Sequence, residues 1–198
     1  MISTNLKKKL VRLAYEKPDL RGKLLPIING EAEMKKTSAK KVKPTKVLFV
    51  EAVLESPNDL TSWLSDQDDV PSITGWDVKS HHMTMEFLGG KGSAKDLERY
   101  KRFLGETFTI DIVGLAFDEK CVAVLIDTNL PVKNKFPHIT VAVNGVKPAY
   151  SNELLEAKDK AGEIRKVRGK LRVKVGYFDG RGGGDKFELP HEFFESED

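Results

Sequence analysis

Two stretches of this 198-residue chain share one frame, HMTMEF from His82 and HITVAV from His138. Each runs histidine, apolar residue, threonine, then a mainly apolar tail. Side chains alternate faces along a β-strand. His82 and Thr84 therefore share one face, with Met83, Met85 and Phe87 on the other. His138 and Thr140 share a face in the same way, opposite Ile139, Val141 and Val143. The apolar rows need a core, so each strand belongs in a sheet covered on one side. The His-Thr rows then meet water or a ligand. The chain has four histidines in all, and two in one frame read as a functional pair rather than as separate half-buried imidazoles. By the same count Glu86 lies on the His82 face, as an exposed carboxylate or one that orients a histidine. His81 falls on the face opposite Thr84 and reads as structural. His191 follows Pro190 in an acidic tail and reads as solvated.

The surrounding pattern mixes strands and helices. KVLFVEAVLE (46–55) reads as a buried strand. Ser56 and Pro57 supply the N-cap and first position of a helix over 56–65. DVKSHHMTMEFL (77–88) reads as one strand carrying the first His-Thr pair. SAKDLERYKRFLG (93–105) reads as a helix with Leu97, Tyr100 and Leu104 inward and Gly105 as its stop. Residues 107–118 and 120–128 form a hairpin, 136–143 the second His-Thr strand, and 151–162 a capped helix. Residues 164–178 and 186–189 supply terminal strands around a glycine-rich turn, GRGGG (180–184). That turn does not precede a helix, so it lacks the context of a phosphate-binding loop. The body is α+β with mostly antiparallel strands.

Charge separates this body from what precedes it. Residues 1–46 hold 13 Lys+Arg and 4 Asp+Glu, whereas residues 47–198 hold 20 and 26. Residues 1–30 read as two short helices, the first with Leu6, Leu10, Leu13 and Ala14 on one stripe and ending at Pro18. Residues 31–45 have few large apolar side chains and read as a basic, solvated linker. The folded body spans 46–198. Its net acidity disfavours long nucleic acid as a partner, because such binding rests on neutralising phosphates. A small phosphorylated substrate remains compatible. No run reaches the roughly 18 apolar residues of a membrane span, and the first thirty residues lack a secretory signal pattern. The lone Cys121 cannot form an internal disulfide and suits a reducing, cytoplasmic setting.

Paired histidines point to acid–base chemistry on phosphorus. One neutral imidazole removes a proton from a nucleophile, and its partner, protonated, donates to the leaving oxygen. A threonine hydroxyl two residues along can hydrogen-bond a non-bridging phosphate oxygen. This chemistry needs no metal or other cofactor, and His-x-Thr lacks the paired ligands of zinc motifs.

The motifs HMTM (82–85) and HITV (138–141), in this order, resemble those of the 2H phosphoesterase superfamily. That superfamily includes 2′-5′ RNA ligase-like proteins, the cyclic phosphodiesterase domain of fungal tRNA ligase, and phage enzymes that destroy cyclic oligonucleotide signals. The resemblance covers roughly residues 46–190. It implies a bilobal fold of two mostly antiparallel sheets with flanking helices and a central cleft. It implies His82 and His138 as the acid–base pair and Thr84 and Thr140 as phosphate binders. The segment PHITVAVNGVKPAYSNELL also resembles a subset in which Lys147 and Ser151 approach the phosphate. Trp76 and Phe136 precede the two motifs, where an aromatic ring either stacks on a base or packs into the core.

The implied substrate is a ribonucleotide carrying a cyclic phosphodiester, a 2′,3′-cyclic phosphate on an RNA end or small nucleotide. Two rival readings stand beside it. One is a phage antidefence nuclease that cleaves cyclic di- or trinucleotide signals. The other is a non-catalytic RNA- or nucleotide-binding module, or a virion-associated protein. LVRLAYEKPDLRGKLLPII (10–28) resembles leader segments of large-phage proteins, which implies a docking signal in residues 1–30 and a phage origin. A helical hairpin packed on the body is the plain alternative.

Overall fold

The computed structural model describes residues 9–13, 16–17, 24, 46–180 and 184–190. The chain divides into two compact units, Met1–Lys43 and Pro44–Asp198. In the first, residues 9–13, 16 and 24 are helical, and Arg12 pairs with Glu16 one turn on at 2.7 Å. The rest of the expected helical segment 1–30 and the basic linker 31–45 lie outside the described residues, as do residues 181–183 and His191. No described helix is long and apolar enough to cross a membrane.

Among its described residues the second unit contains seven strands and two α-helices. The strands are β1 (Val47–Leu54), β2 (Asp77–Val78), β3 (His82–Gly92), β4 (Thr107–Phe117), β5 (Cys121–Asp127), β6 (His138–Val143) and β7 (Arg165–Phe178). Helix α1 spans Pro57–Ser65 and α2 spans Tyr150–Ala161. All the strand pairings are antiparallel, and the strands belong to one connected sheet in the order β2-β6-β3-β1-β7-β4-β5. Strand β6 also pairs with β5, so the order closes on itself as a ring. This corrects the two separate sheets expected above: β6 bridges both halves, and its sole Cα-paired partner on β3 is Met83, opposite Ile139.

The expected strand 77–88 is in two pieces along one edge of β6. Val78 pairs with Ala142 and Met83 with Ile139, which leaves two more residues on the first chain than on β6. The surplus is absorbed at Lys79–His81. There the Lys79 N–H and the Ser80 hydroxyl both donate to the Val141 carbonyl, at 2.7 and 3.1 Å.

Residues 94–100, expected as an α-helix, form a 3₁₀ helix. The two buried residues of this segment, Leu97 and Tyr100, are spaced by three, and Phe103 and Leu104 pack on the core just beyond it. That spacing matches three residues per turn better than 3.6. Residues 186–189 make an isolated bridge, Lys186 to Tyr177, rather than a strand.

The sheet's inner row forms the main core, with Val50, Met83, Met85, Ile110, Ile139, Val173 and Val175 all at most 1% exposed. Helix α1 covers it with Leu60 and Leu64. Each fully buried aliphatic side chain of this kind contributes about 1.5–3 kcal/mol. Helix α2 buries Leu154 and Leu155 in a second cluster with Cys121, Ala123 and Val143. Gly162, at φ 68°, ends α2 in the left-handed conformation that glycine adopts without strain. Leu60 is fully buried and has no polar role, so Leu60→Ala lowers the unfolding free energy by about 2–5 kcal/mol. Urea denaturation should read this as a lower midpoint at unchanged slope.

Candidate active site

The seam between β3 and β6 explains why one three-residue frame occurs twice. Met83 and Ile139 are directly opposed and both fully buried. Carried one step either way, the antiparallel register sets His82 across from Thr140 and His138 across from Thr84. The two motifs are thus related by a local twofold axis through the Met83–Ile139 pair. Their His and Thr side chains stand on the face opposite the core. There they line one cleft of about 830 Å³, together with Phe49, Lys79, Phe87 and Asn134.

Alternation holds along β3 only to Met85. In the β1–β3 ladder Val50 opposes Glu86 but Glu51 opposes Thr84. Met85 is therefore the extra residue of a β-bulge, and the residues beyond it change faces. Two expectations are corrected as a result. Phe87, placed on the core face, is 67% exposed at the cleft. Glu86, placed beside His82, is buried instead. It accepts from Arg99 and the Tyr100 hydroxyl at 2.9 Å each, and pairs with Lys133 at 2.7 Å. Glu86 ties the 3₁₀ segment and the loop before β6 to β3. It does not orient a histidine.

His82 sits in a tight setting. Phe49 stacks on its ring at 5.1 Å, and His81 meets it edge-on at 5.6 Å. Its Nδ1 lies 3.3 Å from the Glu51 carboxylate. Glu51 is fully buried. Burial, then the nearby charge of Asp185, pushes the Glu51 carboxyl up to about 9 from 4.5. Burial lowers His82 to about 4 from 6.5, and the neighbouring His81 and His138 add to this against the opposing pull of Asp185. His81, read as structural, lines the cleft and meets Asp185 at 2.9 Å through Nε2.

His138 is held differently. Its Nδ1 lies 2.7 Å from the Phe136 carbonyl, which can only accept, so Nδ1 carries the hydrogen. Burial holds its pKa below the ordinary value, against the pull of that carbonyl. The neutral ring then has a lone pair on Nε2, which faces the buried Ser151 hydroxyl at 2.7 Å. Two lone pairs cannot face each other at that distance, so Ser151 donates to Nε2. Thr140 in turn donates to Ser151 at 2.9 Å. The Pro148 carbonyl, 2.8 Å from Ser151, offers a second acceptor to the same hydroxyl.

The other expected site residues fall as follows. Ser151, expected near the phosphate, is fully buried and bonded to His138 and Thr140. Lys147 is exposed but is not among the residues lining the cleft. Lys79 lines it instead, paired with Asp77 at 2.7 Å. Trp76 packs against the main core, and Phe136 against the second cluster. Among the described residues no group of three or more His, Cys, Asp or Glu is placed to hold a metal ion. Glu51, Lys79 and Asn134 escaped the sequence reading. A lone carboxylate inside VLFVEAVL was the one available signal, because glutamate is seldom fully buried without a partner.

Residues 76–175, about half of the chain, match the fungal tRNA ligase phosphodiesterase domain. The matched stretch contains both His-Thr strands and ends within β7. No curated protein matches the chain.

The buried groups set the pH dependence of stability. Above about pH 6.5 the unfolded chain has lost the Glu51 proton, which the folded protein keeps to about 9. Stability therefore falls as pH rises through that window, by about 3 kcal/mol at most. Between about 4.5 and 6.5 the Glu51 proton still favours the fold on acidification, but the unfolded chain protonates both His82, held at about 4 in the fold, and His138 before the folded protein does. Two protons outweigh one, so stability also falls on acidification. Chemical denaturation across pH should show a maximum near 6.5, and Glu51→Gln should remove the alkaline decline.

Proposed function

The chain belongs to the fungal tRNA ligase phosphodiesterase domain family, within the 2H phosphoesterase superfamily; on that premise we propose that it hydrolyses the 2′,3′-cyclic phosphate of a ribonucleotide, at an RNA end or in a small nucleotide. The observation that carries this reading is the twofold His-Thr frame at the β3–β6 seam, open to one cleft. Such a frame presents two imidazoles and two hydroxyls to a single phosphate. Lys79 adds a positive charge. The walls are largely apolar, and exposed Phe87 offers a face to a base.

Local hydrogen bonding supports the following division of roles. His138, with hydrogen on Nδ1 and a lone pair on Nε2, is the base. His82 is the acid that protonates the departing ribose oxygen. Water attacks phosphorus as one ring P–O bond breaks. The water proton reaches His138 through hydroxyls: Thr140 takes it and passes its own proton to Ser151, and Ser151 passes its own to Nε2. Protonated His138 then donates back to Ser151 Oγ, and the Ser151 hydroxyl turns to the Pro148 carbonyl. Thr140 is thereby released to donate to the phosphate as its charge changes. Thr84 binds the other non-bridging oxygen. No metal is needed for any of these steps.

His82→Ala and His138→Ala should each lower kcat on a 2′,3′-cyclic nucleotide by about 10²–10⁴, without loss of fold, and EDTA should leave the wild type unaffected. Ser151→Ala should lower kcat by about 10² with little change in KM, because it cuts the hydroxyl chain and not the phosphate contacts. A substrate panel should include an RNA with a cyclic-phosphate end and cyclic di- and trinucleotides. Turnover confined to the cyclic oligonucleotides would replace the RNA-end reading with signal destruction. No turnover of any substrate by folded protein would leave a binding module.

A further inference from the structure

Three buried side-chain atoms among the described residues meet no partner in good hydrogen-bond geometry, both Glu51 carboxyl oxygens and His82 Nδ1, although the Asp185 carboxylate is a nearby acceptor for Glu51. They are neighbours, with Oε2 3.3 Å from Nδ1. Buried polar groups are nearly always satisfied, so three orphans at one place call for a physical cause. Glu51 lies on β1, outside the matched stretch 76–175, so the family match is silent about it.

The groups around this place come from β1, β3, β6, β7 and the segment 184–190. Glu51 stands on β1 directly opposite Thr84 of β3, and opposite Gly176 of β7. A Cβ at Gly176 would come within 2.7 Å of the Lys186 carbonyl, so the segment 184–190 lies tight against the strand there. That segment carries Asp185, whose negative charge acts on both Glu51 and His82. His81 precedes β3, and His138 comes from β6. Among the described residues the His82 ring is the one basic group within ion-pairing distance of Glu51. An ionised carboxylate here would be desolvated, beside a second acid and without a fixed cation. That is the costly form.

We propose that Glu51 is the positioning residue for His82: as a neutral carboxyl it donates to Nδ1 and fixes the ring as the tautomer with hydrogen on Nε2. The proposal deepens the assignment of His82 as the acid and rests on it for its kinetic arm. A neutral imidazole is ordinarily a poor acid. Here the loss of one proton is matched by the gain of another. As Nε2–H breaks and the ribose O–H forms, the carboxyl O–H breaks and Nδ1–H forms. His82 ends neutral with its tautomer exchanged, and Glu51 ends as the carboxylate. His138, protonated by water, balances that charge until solvent resets both.

The first test is spectroscopic and needs no substrate. ¹⁵N-histidine NMR at pH 7 should show His82 neutral with hydrogen on Nε2. Infrared difference spectra of wild type against Glu51→Gln should show one protonated carboxyl. An ionised Glu51 facing hydrogen on Nδ1 would overturn the proposal whatever the activity. The second test is kinetic. Glu51→Gln keeps the shape but cannot pass a proton on. It should lower kcat on the cyclic phosphate by about 10² at little cost in KM. The loss should vanish on a p-nitrophenyl ribonucleotide phosphodiester, whose leaving group departs unprotonated. An equal loss on both substrates, or none on either, would refute the relay. If the wild type turns over neither substrate, the assigned reaction fails, and the NMR result alone decides the tautomer claim.

Discussion

One residue pair decides what this fold can do. Met83 and Ile139 close the ring of strands, and their opposition sets the four residues beside them at the corners of one site. Both side chains point into the core, so burying them aims the His-Thr rows outward. Sliding β6 by one residue would send His138 and Thr140 into the core and Ile139 into the cleft. The His-Thr frame is therefore specified by hydrophobic burial, and not by any polar contact between the two motifs.

The frame is geometrically even, but its surroundings are not. His82 rests on a buried carboxyl and a stacked phenylalanine. His138 rests on a carbonyl and a buried serine. On the proposed assignments each ring's hydrogen is placed by its neighbour, and burial strengthens that placement, because both charged forms are disfavoured. This division of labour comes from β1, α2 and the chain around them, outside the motifs themselves.

Sequence pattern revealed a good deal of this. The strands and both α-helices fall close to where alternation and capping put them, and the two His-Thr pairs share a cleft. What escaped has particular causes. Alternation is a local rule, and the bulge at Met85 is set by pairing with β1, so Glu86 and Phe87 were assigned to the wrong faces. The break at Lys79–His81 depends on a carbonyl of β6, more than sixty residues away. Ser151 was singled out by resemblance, but its contact is with His138 rather than phosphate. Lys147 came from the same resemblance and Trp76 from nearness in sequence to a motif, and neither lines the cleft. Glu51 was visible as an oddity in an apolar strand, but nothing in one strand says which histidine it will meet.

The unlike settings of the two histidines also bear on stereochemistry. A cyclic phosphate has two ring oxygens, and either could leave. On the proposed roles, with a proton donor on the His82 side and an acceptor on the His138 side, only one presentation of the ring would be productive: the oxygen turned toward β3 would leave, and the other would keep the phosphate. A pair of matched motifs on a twofold axis would by itself yield a mixture of 2′- and 3′-monophosphates. On the proposed chemistry, the carboxyl on one side and the serine on the other would turn it into a device that yields a single isomer.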